Sequence, residues 1–331
     1  MDSRPRPLYS PGPHRKRRRS FDLSTIEQRA GARSGSEHTA YALMAVAPAM
    51  FCSNMLAARA TADTIPPVAL AFWRWTLVVL ILLPVVAGPL WHARKALRRE
   101  LPDLLLLGAL GMGVCGAVVY LGAQTTTATN IGLIYAASPV LIIVLARGLY
   151  GEAMSRRQGV GVALSLVGVV AIVARGDFGV LLGLRFTPGD LCIVAAAIAW
   201  AVYTVLLLHR PTALAATPRL AAISLAGVVV MFPFLILEAA LGYVPRLDVY
   251  TAGWILFVAV VPGLGAYQTY AYVQRQLGAN RTSLIMYLIP IYNAVLAWLL
   301  LGETLQVYHY AGAALVLPGI YLATRRPDAT S

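Results

Sequence analysis

Ten apolar runs, each about as long as a bilayer is thick, constrain this chain more than any other feature. They lie approximately at 39–60, 66–90, 102–123, 129–149, 158–174, 188–208, 219–241, 250–272, 281–301 and 305–324. A hydrocarbon core of about 30 Å takes roughly 20 apolar residues of helix to cross. Backbone polar groups must be bonded internally in that medium, so only helices or a closed barrel can span it. The runs lack the period-two alternation of an outer-membrane strand, which leaves helices. The expected fold class is therefore an all-α polytopic membrane protein with ten transmembrane helices. Composition agrees: 12% of the residues are charged, about half of what a soluble domain carries.

A net charge of +13 on a soluble protein would suggest nucleic acid, but placement argues for topology instead. With the amino terminus inside, 22 of the 27 Lys and Arg fall in inner tails and loops, including Arg94, Lys95, Arg98, Arg99, Arg156 and Arg157. Arg175, Arg185 and Arg246 fall outside, and Arg59 and Arg74 sit in or beside helices. This is the positive-inside bias, with both termini cytoplasmic in a cell (inner) membrane. Residues 1–38, with the run Arg15-Lys16-Arg17-Arg18-Arg19, are expected to be a disordered basic cytoplasmic tail. That tail either holds the first helix inward or also binds anionic lipid headgroups. The first apolar run is a full span, too long for the h-region of a signal peptide. Cys52, Cys115 and Cys192 are far apart in apolar runs, which excludes a disulfide framework and a zinc site.

A second pattern divides the chain in two. Pro139, Gly151-Glu152, Gly161 and Gly168 recur 151 residues later as Pro290, Gly302-Glu303, Gly312 and Gly319, and each copy ends in arginine, at Arg175 and Arg326. Upstream, at a spacing of 150, Tyr120, Gln124 and Asn130 match Tyr270, Gln274 and Asn280. A period this long exceeds any solenoid unit and fits a duplicated half-protein. The expected organisation is a five-helix repeat over 39–175, a loop over 176–186, a second five-helix repeat over 187–325 and a tail over 326–331. Five is odd, so the second copy enters the membrane from the opposite side. Inverted repeats of this kind hold a substrate near the midplane between them.

The residues that could carry chemistry are few. Arg74, in Phe72-Trp73-Arg74-Trp75, lies about 12 Å into the second helix at 1.5 Å per residue. It either snorkels to the outer interface beside a tryptophan belt or faces a cavity, since a charge in lipid usually faces protein or water. Asn54 on the first helix and Trp200 and Tyr203 on the sixth fall at matching depths. The eighth helix offers Tyr267, Gln268 and Tyr270; the ninth offers Tyr287, Tyr292 and Asn293. Singly, such residues are as apt to tie helices together as to bind a solute; as a set they suggest a lined cavity. The candidate substrate-binding residues are Asn54, Trp73, Arg74, Trp200, Tyr203, Gln268 and Tyr287. Pro139 and Pro290, taken as mid-helix kinks, are candidate gating hinges. Gly161 with Gly168, and Gly312 with Gly319, each share a helix face and let backbones approach.

Absences narrow the classes. No phosphate-binding loop, metalloprotease motif or nucleophile elbow occurs, so no enzyme, cofactor or metal is expected. Glu152, Asp190, Glu238 and Glu303 lie at or near helix ends, which leaves no mid-span carboxylate for a proton relay.

With these motifs the chain resembles the EamA-type members of the drug/metabolite transporter superfamily. The resemblance rests on ten helices, Phe72-Trp73-Arg74-Trp75, the doubled Pro-x11-Gly-Glu-x8-Gly-x6-Gly pattern, and Gly189-Asp190 followed by Trp200 and Tyr203, and covers about 40–325. It implies a secondary transporter of small organic metabolites or drugs, an exporter working by alternating access around a central cavity. Metabolite uptake, an uncoupled facilitator, and more distantly a receptor or structural membrane protein are the alternatives. The partners implied are a small-molecule substrate and membrane lipid, with no nucleic acid, in a monomer or homodimer. The related four-helix multidrug pumps use a first-helix glutamate, which this first span lacks.

Overall fold

The computed structural model describes residues 23–177, 179–183, 187–246, 248–301 and 304–324. The described residues are helical with no strand. The long helices are α1 (Leu23–Ala60), α2 (Pro67–His92), α3 (Arg94–Ala123), α4 (Asn130–Tyr150) and α5 (Arg156–Val173). They continue as α6 (Pro188–His209), α7 (Ala216–Ala240), α8 (Val249–Leu277), α9 (Ile285–Leu301) and α10 (Val307–Thr324). Seven of them, α2 through α8, are long and apolar enough to cross a bilayer. Helix α1 begins at Leu23, inside the stretch expected as a tail; the basic run at 15–19 lies outside the described residues, as do Gly302, Glu303 and Arg326.

Helix ends are set by local chemistry that the sequence carries. At α5, Ser155 Oγ accepts from Gln158 N while Gln158 returns a bond to Ser155 N at 2.9 Å, a reciprocal cap. Helix α2 opens on Pro67, which has no N–H to leave orphaned. Its next two N–H groups, of Val68 and Ala69, donate at 2.9 and 2.7 Å to the Glu238 carboxylate at the end of α7. Asp190, in the first turn of α6, accepts from Thr187 N at 2.6 Å, from Asn130 Nδ2 at 3.0 Å on each oxygen, and from Thr126 Oγ1. These carboxylates sit at helix ends, and both tie the first half of the chain to the second.

The main contacts between halves come in matched pairs. Helix α1 packs on α8 as α6 packs on α3; α1 packs on α9 as α6 packs on α4; α2 meets α7, and α5 meets α10. The α5–α10 seam is the most extensive. There a Cβ added to Gly161 would lie 2.4 Å from Gly319 O, and one added to Gly168 would lie 2.7 Å from Gly312 O. The order reverses along the second helix, so the pair is antiparallel. Ser165 Oγ donates to Val316 O at 3.3 Å, midway between the two glycine contacts. The four repeat glycines thus pack against one another, because only hydrogen at those positions lets the backbones come this close.

Two features depart from straight helices. In α3 the turns widen to π type over Ala109–Val118, and in α8 over Ala259–Gly265, starting 150 residues apart. Helix α4 is interrupted at Ala137. Pro139 was expected to kink a helix from within; it instead occupies the first turn after that interruption, where proline needs no N–H bond. Pro290 does lie inside α9.

Candidate functional site

Arg74 is 2% exposed and does not reach an interface. Its Nη1 donates to Asn54 Oδ1 at 3.0 Å and to the Tyr120 hydroxyl at 3.1 Å, and its Nη2 donates to the Pro262 carbonyl at 2.9 Å. The Tyr120 hydroxyl donates in turn to Asn54 Oδ1 at 2.5 Å. One guanidinium therefore ties α2 to α1, α3 and the π-type stretch of α8. Its plane lies over the Trp75 ring, 4.7 Å from the centroid, with Tyr267 at 5.8 Å, where a buried cation gains from the ring quadrupole. Charge, amide, phenol and indole together make a buried cation tolerable here, which snorkelling would otherwise have to provide.

Below this node lies a wall of rings. Trp75 meets Tyr267 edge-on at 4.8 Å, Tyr267 meets Trp200 at 5.7 Å, and Trp200 stacks on Tyr203 at 5.6 Å and contacts Tyr270 at 5.0 Å. Phe51 closes the cluster against Trp200. The phenols are anchored: Tyr267 donates to Gly111 O at 2.8 Å, and Tyr270 shares a 3.3 Å hydrogen bond with Thr204. The N–H groups are not. Arg74 Nε, Trp75 Nε1 and Trp200 Nε1 are all buried without an acceptor among the described residues. Each such donor costs about 1–3 kcal/mol, so three in one cluster call for an explanation.

Of the candidate binding residues, the structure joins Asn54 directly to Arg74, and joins Trp200 and Tyr203 to the same cluster through Trp75 and Tyr267. Trp73 is a correction: it is 41% exposed on the outer face of α2. Residues two apart on a helix point about 200° apart at 3.6 residues per turn, so only one tryptophan beside Arg74 can face inward, and it is Trp75. Gln268 is half-buried and makes no hydrogen bond among the described residues; Tyr267 and Tyr270, one turn apart, take the inward face. Tyr287 is fully buried with its hydroxyl unpartnered, and no ring contact joins it to the cluster. Tyr120, Trp75, Tyr267 and Tyr270 were outside the candidate set. The first and last are a matched pair of the internal repeat, which is the signal that marks them.

Two small cavities flank the cluster. One, of about 140 Å³, lies between α1, α2 and α3 and is bordered by Thr61, Leu70, Tyr120 and Gln124. The other, of about 40 Å³, lies between α6, α7 and α8 and is bordered by Tyr203, Arg219, Tyr267, Gln274 and Arg275. Glu152 of the repeat motif pairs with His209 at 3.0 Å near the second cavity's end of α6, where Tyr150 stacks on the imidazole. Gly151 before it closes α4 at φ 68°, a left-handed turn that glycine adopts freely.

Over 270 residues the chain is 25% identical to YyaM, an uncharacterized transporter of Bacillus subtilis, covering 81% of this chain and 87% of that protein. It is 28% identical to a probable terminal-alkyne amino-acid exporter of Streptantibioticus cattleyicolor, covering 75% and 81%. It is 26% identical to a probable amino-acid metabolite efflux pump of Salmonella typhimurium, covering 78% and 85%. One solved crystal structure, 18% identical, superposes with a TM-score of 0.65 over 86% of this chain and 97% of its own, which establishes a shared fold. The model of the EamA-like transporter family matches twice, at residues 38–174 and 187–325. The chain is a multi-pass membrane protein that belongs to the EamA-like transporter family.

Proposed function

We propose that this protein is a secondary carrier that exports small organic metabolites by alternating access. Ten spans form two inverted repeats, 39–175 and 187–325, with both termini cytoplasmic. The matched helix contacts and the antiparallel glycine seam support that layout, and the positive-inside bias supports the orientation. In this frame the α1–α2–α3 cavity is the outer mouth and the α6–α7–α8 cavity the inner one, with the Arg74 node and ring wall between them. The observation that carries the reading is the set of buried N–H donors at Arg74, Trp75 and Trp200 that find no acceptor among the described residues. A solute with an apolar body and an acceptor-rich head would supply the acceptors and slide along the rings. The direction, outward, rests on the relatives named as an exporter and an efflux pump.

Purified protein in liposomes, screened with pooled metabolites with and without a pH gradient, tests the reading. Saturable flux is expected, and flux that rises linearly with concentration would refute a carrier. Arg74→Ala should abolish transport while expression is kept. Arg74→Lys should recover little, because one ammonium cannot reach Asn54, Tyr120 and the Pro262 carbonyl as a planar fork does. Normal flux in Arg74→Ala would remove this node from the mechanism.

A further inference from the structure

The two mouths are bordered in part by matched positions of the repeat. Leu70 and Gln124 border the outer one; Leu220 and Gln274, each 150 residues later, border the inner one. The polar nodes above them correspond as well: Asn54 with Tyr120 in the first half, Thr204 with Tyr270 in the second, again 150 apart. Against this shared scaffold the cations stand out. Arg219 and Arg275 border the inner mouth, and the matching positions of the first half are Ala69 and Thr125. Among the described side chains none that borders the outer mouth is charged; that of Arg59 lies outside the described set.

Those guanidiniums have donors to spare. Arg275 is exposed and has no hydrogen-bond or ion-pair partner among the described residues. Arg219 donates from Nη1 to Leu207 O at 2.7 Å and from Nη2 to Arg210 O at 3.2 Å, closing the end of α6. That uses two of the five N–H donors of a guanidinium. The nearby carboxylates are committed elsewhere. Glu100 accepts from Thr212 Oγ1 and Ala213 N, Asp103 pairs with Arg210 at 3.5 Å, and Glu152 pairs with His209. The space beside the two arginines, about 40 Å³, holds on the order of three water-sized groups, which is the size of a carboxylate. Its further wall is Tyr203 and Tyr267, the inner edge of the ring cluster.

We infer that the mouth between α6, α7 and α8 is an anion-loading subsite, in which Arg219 and Arg275 take the carboxylate of an arylalkyl or alkyl organic anion. This deepens the carrier reading and rests on it for the inward orientation. The anionic head enters between the two guanidiniums while the apolar body lies against Tyr203 and Tyr267. The next unsatisfied donors along the ring wall are Trp200 Nε1, Trp75 Nε1 and Arg74 Nε, so the path offers an anion successive acceptor-seeking groups. Among the described side chains the outer mouth offers the Tyr120 phenol and the Gln124 amide.

Three solutes of one shape and different charge test the assignment: phenylacetate, 2-phenylethanol and phenethylamine. Their binding is read as thermal shift of the full chain in phosphatidylcholine nanodiscs. Phenylacetate should bind at least about tenfold more tightly than the other two, the scale of one charge-assisted hydrogen bond. Arg275→Gln should erase most of that preference. Arg275→Glu should move it toward phenethylamine, and because this arginine is exposed and unpartnered, neither variant should lose the fold. Equal binding of the three, binding of none, or a phenylacetate preference untouched by Arg275→Glu would overturn the subsite. Loss of the phenylacetate response in nanodiscs containing phosphatidylglycerol would overturn it too, by assigning the guanidiniums to a lipid headgroup. Saturable flux of other solutes alongside equal binding would leave the carrier reading standing. Selective anion binding without flux of any anion would keep the subsite and sink the carrier.

Discussion

Substituting Gly161 by alanine gives a direct measure of what holds the two halves together. The added Cβ would stand 2.4 Å from Gly319 O, 2.7 Å from Ala323 N and 2.9 Å from Ala323 Cβ. Ordinary contact begins near 3.4 Å, so the α5–α10 seam must open by roughly 1 Å. Two of the three obstructing atoms are backbone and cannot rotate aside. Overpacking of this kind costs about 1–3 kcal/mol, while the gain in helix propensity over glycine returns up to about 1 kcal/mol. The net loss is up to about 2 kcal/mol. At about 2–4 °C per kcal/mol for chains of 150–250 residues, the thermal midpoint in detergent should fall by up to about 8 °C. Gly148→Ala is the control, since nothing lies within 4 Å of its added Cβ, and it should hold or slightly raise the midpoint. Gly319→Ala should behave as Gly161→Ala does. The double variant should lose less than the two losses combined, because one methyl has already parted the helices. If Gly161→Ala proves as stable as Gly148→Ala, close approach at the seam is not what binds α5 to α10.

The tryptophans beside Arg74 should separate cleanly. Trp75→Ala removes a fully buried ring that touches Arg74 and Tyr267 and should cost about 3–5 kcal/mol along with flux, whereas Trp73→Ala, on the exposed face, should change the midpoint and flux little; equal effects would refute the assigned helix phase. Topology is read by single cysteines at Asp177 and Arg157, both exposed, on a background lacking Cys52, Cys115 and Cys192. They should label from opposite sides of the membrane, and labelling from one side would end the inverted-repeat reading.

What the sequence made legible is what the bilayer and the repeat impose. Hydropathy located the helices because lipid leaves the backbone no alternative. The spacing of 151 singled out the four glycines, and the structure gives the reason: each needs the absence of a side chain on its partner. Helix phase around Arg74 was not legible. Trp73 and Trp75 sit about 100° to either side of the arginine, a mirror arrangement that cannot say which ring turns inward. The choice depends on Tyr267, which comes from a distant helix. Gln268 stood in the candidate set, yet the face carrying Tyr267 and Tyr270 is the one that turns inward. Nor could any residue pattern announce the Pro262 carbonyl as a partner of Arg74, since that acceptor is main chain inside a π-type stretch.

The repeat also separates what packs from what acts. Where the halves agree, at Gly161 with Gly312, Gly168 with Gly319 and Gln124 with Gln274, the residues pack a seam or border a mouth, and Tyr120 and Tyr270 bond the matched side chains of Asn54 and Thr204. Where they differ, the differences include the rings, with Trp75 matching Leu225, Trp200 matching Met50, Tyr203 matching Ser53 and Tyr267 matching Ala117, and charge, with Arg74 matching Ser224, Arg219 matching Ala69 and Arg275 matching Thr125. Two related halves, exchanging roles, would give inward-open and outward-open forms similar packing energies, and neither form would be favoured by the scaffold alone. A ligand shifts such an equilibrium only by its differential affinity for the two forms. The unmatched rings and arginines of the site are groups able to provide that difference, and two of those arginines, Arg219 and Arg275, stand at one mouth. On the carrier reading, direction would follow from the departures from symmetry, so Arg275→Thr should weaken loading from that side while leaving the seam, and with it the thermal midpoint, unchanged.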